Sequence, residues 1–213
     1  MIPELEQVLP EEARGEAAQI FRPFSVNRGS YLFYPEDEAR ALYYVREGWV
    51  RLFQLGQREE EITLTVLSPG EIFGEAALIP GEKYGLFAEA MSDVELITAP
   101  REDLLRLMTR FPEAHRALLI LLARRLKRAE ERLRDLRFKE VLPRLAKALL
   151  MAMRPGSEGY EVSLSHQDLA HLAGSTRETV TKVLGELAMQ EIIELGYRRI
   201  LILNPEELKR VVG

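Results

Sequence analysis

The chain has 213 residues, 46% hydrophobic and 30% charged, a balance that suits an ordinary soluble protein of one large or two small domains and excludes disordered, collagen-like and membrane-spanning classes. It has no cysteine and only three histidines, His115, His166 and His171. That excludes disulfides, thiolate zinc sites, cysteine-ligated iron–sulfur clusters and cysteine nucleophiles, and it leaves the first half with no histidine for a metal. The formal charge of −5 hides an asymmetry: residues 1–110 carry 11 Lys and Arg against 20 Asp and Glu, residues 111–213 carry 18 against 14. Clustered cations able to meet phosphate are therefore sought in the second half. The acidic start, MIPELEQVLPEE, is unlike a signal peptide, and the cytoplasm is the expected compartment.

Residues 1–22 predict a short helical lead-in. From about residue 24 to 100, β-branched and aromatic runs alternate with turn residues at Arg28-Gly29-Ser30, Glu36-Asp37, Glu47-Gly48, Leu55-Gly56, Ser68-Pro69-Gly70, Pro80-Gly81 and Ser92-Asp93. This rhythm predicts an all-β barrel or roll within a domain of residues 1–110. Its clearest strands are Tyr43–Val45, Trp49–Phe53 and Ile62–Leu67.

Beyond Pro112 there is no glycine, and one proline, until Pro155. His115, Leu119, Leu122, Leu126, Ala129, Leu133 and Leu136 recur at alternating spacings of four and three, the pattern of a two-stranded coiled-coil seam, with Arg124, Arg125, Lys127 and Arg128 outside it. Residues 111–138 thus predict a dimerisation helix, though the same stripe could pack on the β domain. Pro143 suits the first turn of a further helix over residues 140–153, with a hinge near Phe138. Residues 154–159 read as a loop and residues 160–164 as a strand, opening a C-terminal domain over 139–213.

Ser165 with Asp168, and Ser175 with Glu178, each match a capping box at a helix start, and Gly174 falls between the two helices. In the second helix Val180, Val183, Leu184 and Leu187 define a buried face. Arg177, Glu178, Thr181 and Lys182 stay outside, in the turns where a recognition helix meets base edges, although Glu178 and Lys182 could equally form a solvated i, i+4 pair. A hairpin over Ile192–Leu203 follows, with Arg198 and Arg199 at its tip. Gln167, Thr176, Thr179, Arg198 and Arg199 are the candidate phosphate contacts. His166 and His171 are placed on a solvated or phosphate-facing side, not on a metal.

A β-roll, a long dimer helix and a winged helix-turn-helix containing Ser175-Thr176-Arg177-Glu178-Thr179-Val180 resemble the cyclic-AMP receptor protein/fumarate-nitrate reductase regulator (CRP/FNR) family of transcription factors. The most specific segments are the cassette Pro69-Gly70-Glu71-Ile72-Phe73-Gly74-Glu75, Ala123-Arg124-Arg125-Leu126 and Thr176–Val180. The resemblance implies an α+β fold with an N-terminal cyclic-nucleotide-binding-like roll, a non-enzymatic homodimer on double-stranded DNA, no membrane association and RNA polymerase as partner. It assigns Arg177, Glu178 and Lys182 to base reading at TGTGA-type half-sites, about 34 Å apart in a twofold operator. Activation is the expected outcome and repression the alternative.

The effector site departs from the family pattern. In the cyclic-AMP receptor an arginine-serine pair binds the cyclic phosphate, and a glutamate holds the ribose hydroxyl. Here the glutamate is kept as Glu75, but Tyr84 and Gly85 stand at the arginine-serine positions, and Ala129 and Glu130 replace the hydroxyl residues that meet adenine. The set Gly74, Glu75, Tyr84, Gly85, Ala129 and Glu130 is therefore expected to be a vestigial pocket, with Tyr84, Leu86 and Phe87 filling the nucleotide's space and no cofactor bound. The alternative is a different, less anionic ligand. A cyclic-nucleotide-binding regulatory subunit would need the missing arginine, and a cupin-like enzyme would need clustered histidines.

Overall fold

Two-residue alternation organises the first hundred residues, and it does so by sending successive side chains to two different cores. The computed structural model describes residues 2–3, 7, 9–156 and 159–212. The chain divides into two compact units, Met1–Ala129 and Glu130–Gly213. In the first, eight strands form two antiparallel sheets: β1 (Arg22–Val26), β8 (Val94–Pro100), β3 (Ala41–Glu47) and β6 (Ile72–Phe73) in one, β2 (Tyr31–Phe33), β7 (Phe87–Ala90), β4 (Val50–Leu55) and β5 (Glu61–Leu67) in the other. Along β3, Val45 points into the core between the sheets, where it joins Phe33, Leu52, Phe73 and Ala88, while Leu42 and Tyr44 point to the opposite face. That second face is covered by α1 (Glu11–Ile20), α2 (Arg101–Arg110) and the first turns of α3 (Pro112–Phe138), through Ala13, Leu107, Ala114, Leu118 and Leu121 among others. The expected β-roll and helical lead-in are both present.

The same alternation corrects one sequence expectation. Leu52 pairs with Ala88 and Phe53 with Phe87. Because Leu52 and Ala88 lie in the inter-sheet core, Phe87 must project from the other face of the sheet. It stacks on Phe53 with ring centroids 4.8 Å apart, and Phe53 carries the Arg51 guanidinium 4.1 Å above its ring. Arg51, nearly buried, donates to Glu61 and Glu89 at 2.6 Å each. Phe87 therefore fills no effector space, whereas Tyr84 and Leu86 do pack against the inner core.

Helix α3 carries two apolar faces. Ala117, Leu118 and Leu121 are buried on the roll, and Leu122 is half-buried beside them. Leu119, Leu126 and Leu133, one heptad apart, are 65%, 62% and 68% exposed, with Ala129 exposed on the same seam. The roll is thus covered by a face beside the predicted stripe, and of the stripe itself only Leu122 packs there, on one 27-residue helix.

The second unit contains α4 (Val141–Ala152), β9 (Arg154–Gly156), β10 (Gly159–Val162), α5 (His166–Ala173), α6 (Arg177–Met189), β11 (Ile193–Gly196), β12 (Arg199–Ile202) and α7 (Pro205–Val212), with sheet order β11-β12-β10-β9. The loop expected over 154–159 is instead a hairpin, in which Arg154–Gly156 pairs with β10 and Gly156 faces Gly159. Ser157 and Glu158 lie outside the described residues. Pro155 is tolerated in β9 because β9 is an edge strand, where proline's missing N–H costs little.

The cassette turn after β6 places Gly74 at φ 78°, in the left-handed region. A Cβ there would lie 2.8 Å from the Ala41 carbonyl oxygen and 3.0 Å from the Tyr43 ring. Gly74→Ala should therefore lower stability by about 1–3 kcal/mol, read as a reduced urea midpoint with an unchanged slope; an unchanged midpoint would contradict this packing.

Candidate nucleic-acid interface

Helix α5 starts in a complete capping box. The Asp168 amide donates to Ser165 Oγ at 3.1 Å, and the Ser165 amide donates to Asp168 Oδ2 at 2.9 Å. It ends at Gly174, which takes φ 57° and closes the turn through its N–H to the Ala170 and His171 carbonyls. A Cβ on Gly174 would meet the Leu136 side chain, so the turn rests on the last turn of α3, and its left-handed φ favours glycine. Leu136 is thus partly spent on its own second unit, though 48% of it stays exposed. Arg144 of α4 donates to the carbonyls of Ala173 and Gly174, clamping the same turn. Burial pulls the Arg144 guanidinium below its ordinary pKa, and Asp135 pushes the other way.

The second of these helices does not start at Ser175. Ser175 belongs to the turn, its N–H bonded to the Ala170 carbonyl, and the N-cap is Thr176, whose hydroxyl accepts from the Thr179 amide at 3.3 Å. The left-handed Gly174 uses one more residue to turn, which shifts the helix start by one. The Thr176 and Thr179 hydroxyls also lie 3.0 Å apart. Both phosphate candidates therefore help to build the helix start.

On α6 the buried face is Val180, Val183, Leu184 and Leu187, as expected, and Arg177, Glu178, Thr181 and Lys182 are exposed. The Glu178 carboxyl is held below the usual carboxylate range by its own backbone N–H and by the Thr176 hydroxyl, so it is an anion, an acceptor, at neutral pH. Lys182 Nζ lies 4.0 Å from Glu186, one turn further along the helix.

The hairpin of β11 and β12 has the expected wing form. Its tip is Tyr197-Arg198, with Tyr197 90% exposed and Arg198 in the left-handed region at φ 58°. Arg199 Nη1 lies 3.9 Å from Glu161 of β10, so it is less free than its neighbour. Between wing, α5 and α6 lies a cleft of about 480 Å³ lined by Ser165, His166, Gln167, Arg177, Arg198 and Arg199 with apolar residues beneath, and by no carboxylate. Four sequence-selected residues thus meet there: Gln167, Arg177, Arg198 and Arg199. Lys182, Thr176 and Thr179 do not line it. Sequence reasoning missed the Arg144 clamp, which carries no local signal, and Tyr197, whose position between glycine and arginine in a turn could have marked it.

In the first unit Tyr84 stacks on Phe33 at a centroid distance of 3.7 Å and packs against Tyr43. Its hydroxyl accepts from the Arg40 and Ala41 amides at 3.3 and 3.1 Å and donates to the Ala41 carbonyl at 3.1 Å. Glu75 Oε1 accepts from Arg125 Nε and Nη2 at 3.0 and 2.7 Å, and Arg125 Nη1 donates to the Ile72 carbonyl at 2.6 Å. Buried Glu71 accepts from the Ser68 amide and hydroxyl at 2.8 Å each. Gly85, at φ 70°, is exposed, as are Ala129 and Glu130 on α3. The cassette's polar groups are thus engaged within the chain. Among the described residues no cluster of three or more metal-ligating side chains occurs, and no helix is long and apolar enough to cross a membrane.

Residues 23–111 match the cyclic nucleotide-binding domain, and residues 143–211 match the Crp-like helix-turn-helix domain. A Thermus thermophilus protein named cyclic AMP receptor protein is 43% identical over 79% of this chain and 78% of its own length. The global nitrogen regulator of a Nostoc species is 31% identical over 97% and 95%. A crystal structure of a CRP-family transcriptional regulator from Thermus thermophilus superposes with a TM-score of 0.76 at 32% identity, covering 89% of this chain and 96% of that one. Two domain matches in the family's order, full-length relatives and a shared fold leave one conclusion: the chain belongs to the CRP/FNR family of DNA-binding transcription regulators, with a cyclic nucleotide-binding-type roll followed by a Crp-like helix-turn-helix domain.

Proposed function

We propose that the chain acts as a cytoplasmic homodimer that binds a twofold operator with TGTGA-type half-sites, does so without cyclic AMP, and activates transcription by contacting RNA polymerase. The observation that carries DNA reading is the carboxylate-free cleft in which Arg177 of α6 meets Arg198 and Arg199 of the wing. Arg177 and Glu178 stand exposed in the first turn of α6, and Lys182 in the next, suited to guanine O6/N7 and cytosine N4. The exposed Leu119, Leu126 and Leu133 supply the dimer seam. Twofold symmetry then presents two α6 helices to two half-sites. The polymerase contact, and activation over repression, rest on family membership.

Effector independence is supported by Tyr84. A phosphate-binding site needs a cation or free donors there; Tyr84 instead brings an uncharged ring, stacked on Phe33, with its hydroxyl committed to the Arg40–Ala41 backbone. A dimer already arranged for DNA needs no ligand to shift its population. A second reading, control by a small ligand in the roll, draws on the name of the Thermus relative and on Thr65, whose buried hydroxyl has no hydrogen-bond partner.

Arg177→Ala should cost roughly 1–3 kcal/mol on a TGTGA palindrome and little on a scrambled duplex, measured by fluorescence anisotropy. Arg198→Ala should weaken both duplexes alike and reduce the salt slope by about one per protomer. Equal losses on both duplexes for Arg177→Ala would remove it from base reading. For the seam, Leu126→Glu combined with Leu133→Glu should give a folded monomer in sedimentation at micromolar concentration that no longer discriminates the palindrome. A double variant that stays dimeric would place the dimer contact elsewhere.

A further inference from the structure

We infer that Tyr197, at the tip of the wing, seats its ring in the minor groove beside each half-site and makes the chain favour A·T over G·C base pairs there. The inference rests on the DNA-binding reading above, and it adds a groove that neither α6 nor the arginines of the cleft would read. Gly196 pairs with Arg199, so Tyr197 and Arg198 form the whole loop of the β11–β12 hairpin. In such a loop a positive φ is usually given to glycine or asparagine. Here Arg198 takes it, at 58°, and its guanidinium carbon lies 5.9 Å from the centre of the Tyr197 ring. The turn thus holds an arginine in a conformation that L side chains rarely adopt, beside a tyrosine that is 90% exposed and so adds almost nothing to the core. Local stability explains neither residue, whereas a ligand at the tip explains both.

The shape of a duplex says what the tip would meet. Arg177 of α6 and Arg198 and Arg199 of the wing line one cleft of about 480 Å³ that no carboxylate lines, which suits a phosphodiester strand. Such a strand is the wall between the two grooves. With α6 in the major groove on one side of it, the wing tip lies on the other side, at the minor groove. Gly196 and Arg198 line the cleft and Tyr197 between them does not, so its side chain projects past the strand. The minor groove is about 6 Å wide, and at A·T pairs its floor offers only acceptors, adenine N3 and thymine O2. A flat ring enters such a slot edge-on, and the phenol O–H donates to those acceptors. At G·C pairs the guanine N2 amino group, itself a donor, stands where the phenol would bind. Arg198 supplies the phosphate contact and Tyr197 the groove contact, from adjacent positions.

The test is fluorescence anisotropy at fixed salt on TGTGA palindromes in which the base pairs adjoining each half-site are A·T, G·C or inosine·cytosine. The last of these presents the minor groove of A·T with the major groove of G·C, because inosine lacks the N2 amino group. Wild type should bind the A·T and inosine·cytosine duplexes about three- to tenfold more tightly than the G·C duplex. Tyr197→Ala should bind all three alike, near the wild-type value for G·C, while still preferring the palindrome to a scrambled duplex. Equal binding of the three duplexes by wild type, a preference that survives Tyr197→Ala, or an inosine·cytosine duplex that behaves like the G·C one would overturn the inference while leaving the DNA-binding reading intact. Absence of any wild-type preference for the palindromes over scrambled DNA would instead overturn the DNA-binding reading, and this inference with it.

Discussion

The constraint on which the rest of the molecule depends is the double apolar face of α3. One face, through Ala114, Ala117, Leu118 and Leu121, completes the core beneath the first sheet. The other presents Leu119, Leu126 and Leu133 at heptad spacing, each more than 60% exposed. Fully burying a leucine contributes about 1.5–3 kcal/mol, so three such side chains from each of two copies supply ample reason for the helix to pair with itself. The helix also runs on into the second unit, where Lys147 of α4 donates to Asp135 at 2.8 Å and Leu136 supports the Gly174 turn.

The roll engages its own polar and aromatic groups within the chain, which is what supports the proposed independence of a nucleotide. Tyr84 uses both capacities of its side chain, the ring against Phe33 and the hydroxyl on the Arg40–Ala41 backbone, and it packs beside Gly74, whose left-handed φ and close neighbours favour glycine. Arg125 reaches from α3 to Glu75 and to the Ile72 carbonyl, so the glutamate that would hold a ribose already has a partner within the chain. These contacts also join α3 to the cassette. Burial further raises the Tyr43 phenol beside Tyr84, with the neighbouring Tyr84 and then Asp37 adding to it, so Tyr43 stays uncharged at any physiological pH.

Much of this was legible in the sequence because the signals were periodic. Alternation gave the strands of the roll, the spacing of four and three gave α3, and Val180, Val183, Leu184 and Leu187 gave the buried face of α6. The illegible parts are those in which a local rule met a tertiary exception. Pro155 reads as a strand breaker until the edge position of β9 is known. Ser175 reads as a cap until the left-handed Gly174 moves the helix start to Thr176. Phe87 reads as pocket filling until its pairing with Phe53 shows which face it occupies. Among the site residues, Arg177, Gln167, Arg198 and Arg199 do share one cleft, but the carbonyl clamp of Arg144 and the Thr181–His166 contact join residues far apart in sequence, and no local pattern encodes them.

The central claim is that the dimer is competent for its operator without a nucleotide, and the most direct measurement is the affinity of purified protein, freed of any co-purified nucleotide, for a TGTGA palindrome and for a scrambled duplex at one salt concentration, with and without cyclic AMP. The account predicts strong preference for the palindrome in the absence of nucleotide and no change when cyclic AMP is added. Specific binding that arises only with cyclic AMP would contradict it, and would mean that Tyr84 yields its place to the ligand.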